Sequence, residues 1–144
     1  MVLKLSVFVV NLLEREDRRI SSRLQFMQVS PKQKPGEFLG FPVQYMTVNR
    51  HPRGGRYGCY TSHLLCMQKA LEDGSDAAVI FEDDFCFVPG AKAKMKILKE
   101  DLEEILCGQG KGKVDMLHFG HEKLLLLHED PVGQDGTCKY RDIC

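Results

Sequence analysis

The segment Leu3–Asn11 constrains the fold of this 144-residue chain more than any other part of the sequence. It reads L-K-L-S-V-F-V-V-N, alternating at first between apolar and polar residues and continuously apolar towards its end. This pattern is typical of a strand that is buried on both faces of a parallel sheet, because helices cover both faces of such a sheet. The segment therefore predicts an α/β domain.

The rest of the chain alternates between helical and extended patterns, which favours a layered α/β fold with a mostly parallel sheet. The predicted elements are a helix beginning near Arg15 or Glu16, a strand at Phe41–Val48, a helix at Tyr57–Asp73, a central strand at Ala77–Phe81, a helix at Lys92–Leu106, a strand at Val114–Gly120 and a further candidate strand at Leu124–Leu127. Helical spacing predicts an apolar stripe on each of the first two helices, formed by Ile20, Leu24 and Met27 on one and by Leu64, Met67 and Leu71 on the other.

Composition and charge exclude several classes of protein. The chain is 43% hydrophobic and 28% charged, as in an ordinary folded domain, and no apolar stretch approaches the ~18–20 residues of a membrane span. Its 20 basic and 20 acidic residues cancel, which argues against a nucleic-acid partner. The six cysteines form no CxxC pair, and no secretory signal follows Lys4, so we expect reduced thiols and a cytoplasmic location.

The charges are nevertheless unevenly distributed. Residues 1–60 hold 10 Lys or Arg and 4 Asp or Glu, whereas residues 61–110 hold 5 and 10. This division suits a site that binds a phosphorylated ligand together with a divalent cation, although solvated helix faces would give the same arithmetic.

The sharpest local feature is the acidic triplet Glu82-Asp83-Asp84, which directly follows the apolar run Ala77–Phe81. Ligands of open α/β sheets bind at the carboxyl ends of the strands, where these carboxylates are expected to lie. Mg²⁺ and Mn²⁺ prefer such oxygen ligands, often together with substrate phosphates. In a locally extended chain Glu82 and Asp84 would point to one side and Asp83 to the other. The alternative is an acidic surface turn without a ligand.

A second candidate site lies at the end of the first strand. Asn11 and Leu12 are followed by Arg15 and Arg18, which are three residues apart and share one face of a helix. Guanidinium groups suit phosphate oxygens, so this segment could hold a nucleotide. The alternative is a solvated helix start whose arginines pair with neighbouring acidic residues.

A third candidate is the segment Gly58–His63 (G-C-Y-T-S-H) at the start of a predicted helix. Glycine allows a ligand to approach the backbone, and the free N–H groups of a helix start favour phosphate. Ser62 and His63 diverge by about 100° on a helix, so they form no nucleophile–base pair. A lone histidine such as His63 is more often structural than catalytic.

Together these segments resemble glycosyltransferase family 25, which contains bacterial lipopolysaccharide glycosyltransferases and the collagen β-galactosyltransferases. The segments Val7–Arg19, Gly54–His63 and Ala77–Phe85 look like the three signature blocks of that family, in the same order. Val114–Gly120 resembles the next strand of the family, so the resemblance covers roughly residues 5–121.

The resemblance implies a GT-A-like (Rossmann-like) three-layer sandwich that binds a UDP-sugar donor with Mn²⁺ or Mg²⁺. It places Glu82 and Asp84 as metal ligands, with Asp83 as the alternate. It also implies a donor site built by Asn11, Leu12, Arg15, Arg18, Gly58, Ser62 and His63. The acceptor would be a saccharide or a glycoprotein, and no catalytic residue is assigned.

The resemblance divides the chain into a nucleotide-sugar-binding domain at residues 1–121 and a tail at residues 122–144 in which no family block is recognised. Family catalytic domains continue further, with segments that build the acceptor side. Two functions therefore stay open: metal-assisted transfer of a sugar such as galactose or glucose, and nonenzymatic binding of nucleotide sugar and metal by an incomplete or degenerate domain. We expect the chain to bind a uridine nucleotide and to transfer sugar poorly.

Overall fold

The computed structural model describes residues 3–30 and 36–108, which form four strands and three helices. Every predicted strand and helix within these ranges is confirmed, with end positions that differ by no more than two residues. The predicted strand Val114–Gly120, the candidate strand Leu124–Leu127 and the tail 122–144 lie outside the described residues. The elements are β1 (Leu5–Leu12), α1 (Glu16–Val29), β2 (Glu37–Phe38), β3 (Phe41–Val48), α2 (Gly55–Glu72), β4 (Ala77–Glu82) and α3 (Ala91–Cys107).

The described strands form one sheet in the order β2-β3-β1-β4. β1 pairs in parallel with both β3 and β4, whereas β2 pairs antiparallel with β3, so the sheet is mixed with parallel pairing at its centre. β4 was predicted as a central strand and is the outermost described strand on its side. The short strand β2, which the sequence did not predict, enters β3 through a tight turn at Leu39 and Gly40.

Helices cover both faces of this sheet, which explains why β1 is apolar on both sides. Leu5, Val7 and Val9 pack into a cluster with Phe26 of α1 and Leu102 of α3. The intervening residue Phe8 faces the opposite side, where it packs against Cys66 and Ala70 of α2. Alternation along a single strand therefore supplies two separate cores.

Five phenylalanines fix the chain on either side of the acidic triplet. Their ring centroids lie 4.6–6.0 Å apart in mostly edge-to-face arrangements, which favour close aromatic packing. The cluster comprises Phe26 of α1, Phe38 of β2, Phe81 of β4, and Phe85 and Phe87 beyond β4. Because Phe81 precedes the triplet and Phe85 follows it, the turn between them is held at both ends.

The apolar stripes predicted on α1 and α2 are not the buried faces of these helices, although Met27 on α1 is partly buried. Ile20 and Leu24 are each 53% exposed, and Leu64, Met67 and Leu71 are exposed as well. The buried residues are instead Ser22, Phe26 and Val29 on α1, and Ser62, Cys66 and Ala70 on α2. On α2 the small side chains let the helix backbone approach the sheet, so close packing selects the face rather than side-chain hydrophobicity.

Candidate functional site

A cavity of about 310 Å³ opens where the parallel strands β1, β3 and β4 end. This is the edge at which open α/β sheets bind their ligands. The residues that line it are Val10, Asn11, Leu12, Arg18, Val48, Asn49, Arg50, His51, Gly54, Gly55, Gly58, Cys59, Ser62, Glu82 and Asp83.

Asn11 joins three elements beneath this cavity. Its side chain is buried, and Nδ2 donates hydrogen bonds to Asp83 Oδ2 at 2.5 Å and to the Arg15 carbonyl at 3.0 Å. Its Oδ1 accepts a hydrogen bond from Arg19 Nη1, a group that also donates to the carbonyl of Leu12. The amide thereby ties the end of β1 to the start of α1 and to the turn after β4.

Asp83 and Asp84 both pair with Arg18 but differ in their surroundings. Arg18 Nη1 lies 2.8 Å from Asp83 Oδ1 and 3.5 Å from Asp84 Oδ2. The side chain of Asp83 is 9% exposed, and each of its oxygens has a partner, one in Arg18 and one in Asn11. The side chain of Asp84 is 62% exposed. Asp83 is thus a fixed structural anion, while Asp84 faces solvent.

Glu82 lies against α2, apart from the contacts of the other two carboxylates. The Cys59 thiol donates to Glu82 Oε1 at 3.4 Å, and His63 Nε2 lies 3.7 Å from the same oxygen. The triplet therefore departs from the expected common orientation of Glu82 and Asp84. The physical reason is that β4 ends at Glu82, where the Phe85 amide donates to the Glu82 carbonyl and turns the chain out of its extended form.

Partial desolvation and the neighbouring Glu82 charge raise the pKa of the Cys59 thiol. Both causes disfavour the thiolate. The free thiol is therefore protonated at neutral pH, and its environment is not that of an activated cysteine nucleophile.

The N-terminus of α2 lies on the cavity and is built from glycines. Gly54 caps the helix with φ 99°, and no side chain hydrogen-bonds to this helix end. A Cβ on Gly58 would lie 3.3 Å from His51 Cβ, so this glycine lets the loop after β3 rest against α2. The partial positive charge of a helix N-terminus suits an anionic group in the cavity.

Seven of the ten predicted site residues line the cavity: Asn11, Leu12, Arg18, Gly58, Ser62, Glu82 and Asp83. The lining does not include Arg15, His63 or Asp84. Arg15 forms a bidentate pair with Asp17, with N···O distances of 2.9 and 2.7 Å, and this hydrogen bonding lowers the pKa of Asp17 to about 2. Such pairing between an arginine and a neighbouring acidic residue was the alternative interpretation of this helix start.

Ser62 also makes a local contact, since its hydroxyl donates to the Gly58 carbonyl at 2.6 Å within α2. Its buried side chain therefore packs the helix against the sheet, in addition to lining the cavity.

Four polar residues of the lining were not among the predicted site residues, namely Cys59 and the residues that follow β3, Asn49, Arg50 and His51. A signal for the latter existed, because β3 is a parallel strand and its carboxyl end reaches the same edge as those of β1 and β4. Arg50 is paired with Glu14 at 2.5 Å, an exposed contact between the loops after β1 and β3.

Residues 4–124 match the family model described as Glycosyltransferase family 25 (LPS biosynthesis protein). The chain belongs to glycosyltransferase family 25. No solved structure matches it. Every residue that lines the cavity of this family 25 chain falls within the matched range. Among its described helices, none has the length and apolarity needed to cross a bilayer.

Proposed function

We propose that this family 25 chain binds a nucleotide sugar in the cavity and supplies the donor side of metal-assisted glycosyl transfer. One observation carries the proposal: a single cavity, at the carboxyl ends of three strands, combines an uncapped helix N-terminus, arginines and carboxylates. The first two features attract phosphates, and the third attracts a divalent cation. A nucleoside diphosphate sugar with its cation carries both kinds of group.

The phosphates would be bound by Arg18, Arg50 and the first backbone amides of α2. Arg18 remains 37% exposed although it pairs with Asp83, so it can still donate to a ligand. Its position is fixed by that pair, which reduces the entropy lost when a phosphate binds. The nearby glycines leave the helix N-terminus accessible to a large anion.

Two exposed carboxylates at this edge of the sheet support the proposal of a hard cation such as Mn²⁺ or Mg²⁺. Both oxygens of Asp83 are used by protein partners, whereas the side chains of Glu82 and Asp84 are 60% and 62% exposed. Glu82 would therefore hold the cation from the wall of the cavity together with phosphate oxygens, and the solvent-facing Asp84 would turn towards the ion from outside the lining. When bound, the cation would neutralise the negative charge that develops on the departing diphosphate. Asn11, Arg18 and Asp83 would keep the acidic turn in place.

The sugar transferred would be a hexose such as galactose or glucose, and the acceptor a saccharide or a glycoprotein.

One observation favours the second function, binding without transfer. Glu82 and Asp83 are the carboxylates that line the cavity within the described ranges; Asp83 is paired with Arg18, and Glu82 would be occupied by the proposed cation. Neither is free to take a proton from an acceptor hydroxyl, which transfer usually requires.

Titration calorimetry with UDP, with and without Mn²⁺, tests the proposal. We expect UDP to bind, and Mn²⁺ to tighten its binding. Glu82→Gln and Asp84→Asn should each weaken the Mn²⁺-dependent binding at least tenfold and leave the far-ultraviolet circular dichroism unchanged, because both swaps remove charge and preserve shape.

Glu100→Gln on α3 is the matched control, since it removes an equally exposed carboxylate away from the cavity. The proposal is overturned if UDP binds neither in the presence nor in the absence of Mn²⁺. Release of UDP from UDP-galactose or UDP-glucose, measured with and without a saccharide acceptor, then separates transfer from binding alone.

A further inference from the structure

Three side chains that could ligate a metal converge where α2 meets the end of β4. One potential ligand atom from each of Cys59, His63 and Glu82 lies within 4.8 Å of the others. We propose that these residues form a binding site for a thiophilic divalent cation, with Zn²⁺ as the preferred ion, beside the cavity. This site would form in the chain without a nucleotide.

Two of the three separations between the ligand atoms suit tetrahedral zinc. Bonds of about 2.3 Å to sulfur and about 2.0–2.2 Å to nitrogen or oxygen place the ligands of a tetrahedral ion about 3.3–3.7 Å apart. Glu82 Oε1 lies 3.4 Å from Cys59 Sγ and 3.7 Å from His63 Nε2. The ligand atoms of Cys59 and His63 lie within 4.8 Å of each other, so rotation of these side chains would bring them closer when all three residues bind one ion.

The site is held by regular elements rather than by loops. Cys59 and His63 are four residues apart on α2 and thus lie on one face of the helix. Glu82 is the last residue of β4, and α2 packs on that strand through Cys66, Ala70 and Ile80. A site on rigid elements loses little entropy when the ion binds.

The imidazole supplies an independent indication of a missing ligand. His63 Nε2 is inaccessible to solvent and has no hydrogen-bond partner among the described residues. A buried polar atom without a partner is uncommon and costs free energy. A metal ion bound at this nitrogen would remove that cost.

The donor set separates this site from the hard-cation site proposed above. Thiolate and imidazole favour Zn²⁺ strongly over Mn²⁺ and Mg²⁺, which prefer oxygen. Binding would release the proton of the Cys59 thiol to solvent, since only the thiolate ligates the metal. Three protein ligands leave a fourth position for water. Glu82 belongs to both donor sets, so the two ions would compete for it.

The test measures metal binding to the whole chain, by competition with a chromogenic chelator for Zn²⁺ and by the absorption spectrum with Co²⁺. We expect the parent chain to bind one Zn²⁺. Each of Cys59→Ser, His63→Gln and Glu82→Gln should abolish this binding or lower its affinity at least tenfold. The Co²⁺ complex should show a thiolate charge-transfer band that disappears in Cys59→Ser.

Cys86→Ser is the matched control, because Cys86 is another exposed free cysteine and lies outside the cluster. It should retain the parent affinity and the charge-transfer band. All three cluster residues are at least partly exposed, and circular dichroism verifies that each variant folds. A loss of less than tenfold in any of the three variants, or a Co²⁺ band that persists in Cys59→Ser, overturns the proposal.

Discussion

At the residue scale, Asp83 and Asp84 illustrate how burial gives two adjacent carboxylates different tasks. Both contact Arg18, yet Asp83 is nearly enclosed and makes a second contact to Asn11, whereas Asp84 faces solvent. Removal of a partner from a buried charged network leaves the other groups unsatisfied. An exposed ion pair contributes little, because water screens it.

We therefore expect Asp83→Asn to lower the free energy of unfolding by about 1–3 kcal/mol. Asp84→Asn should change it by no more than about 0.5 kcal/mol, since it removes the same charge at an exposed position. Urea unfolding followed by circular dichroism measures both values without ligand. Equal losses in the two variants would show that Asp83 has no special structural role.

The sequence was sufficient to predict seven of the residues that line this cavity, but not the contacts that distinguish one from another. Asn11 and the acidic triplet each end a strand, and parallel strands bring their carboxyl ends to one edge, so their proximity was predictable. Burial of Asp83 was not, because it depends on where the turn after Glu82 begins and on Arg18, which lies 65 residues away in the chain.

At the element scale, α1 shows that an apolar stripe need not be the buried stripe. Ile20 and Leu24 face solvent, while Phe26 on the same helix is fully buried and contacts four other phenylalanines. Phe26→Ala should therefore lower the free energy of unfolding by about 3–5 kcal/mol through lost burial and a residual cavity.

Leu24→Ala is the control within the same helix and should cost no more than about 0.5 kcal/mol. Guanidinium unfolding of both variants gives the comparison. A cost for Leu24→Ala equal to that for Phe26→Ala would instead support the face predicted from helical spacing.

Most of the helices and strands were predictable, because residue propensities and the glycines and prolines that end an element act locally. Contacts between elements were harder to predict, because they depend on residues far apart in the chain. β3 was predicted at its observed bounds, Phe41–Val48. β2 was missed because its pairing depends on a two-residue turn in which Leu39 and Gly40 have φ of 52° and 89°. Positive φ at both turn residues matches the strand twist, but leucine is an unusual residue there and gave no turn signal.

At the scale of the whole molecule, the strand order lets helices on both faces of the sheet contribute residues to the site. β1 lies between β3 and β4, so three carboxyl ends reach one edge. Arg18 reaches this edge from α1 on one face of the sheet, while Cys59 and His63 come from α2 on the other. Glu82, the last residue of β4, belongs to both proposed donor sets, so an ion bound at one site would remove a ligand from the other.

Zinc should consequently oppose the Mn²⁺-dependent binding of UDP. An ion held by Cys59, His63 and Glu82 removes Glu82 from the hard-cation site, and ligands that compete for one group weaken each other reciprocally. We expect one equivalent of Zn²⁺ to raise the dissociation constant of UDP, measured in Mn²⁺, at least tenfold in the parent chain. In His63→Gln, the dissociation constant of UDP measured in Mn²⁺ should be nearly the same with and without Zn²⁺, even if it differs from that of the parent chain. An equal zinc effect in parent and variant would show that zinc acts elsewhere, and no zinc effect in the parent would show that Glu82 does not serve both ions.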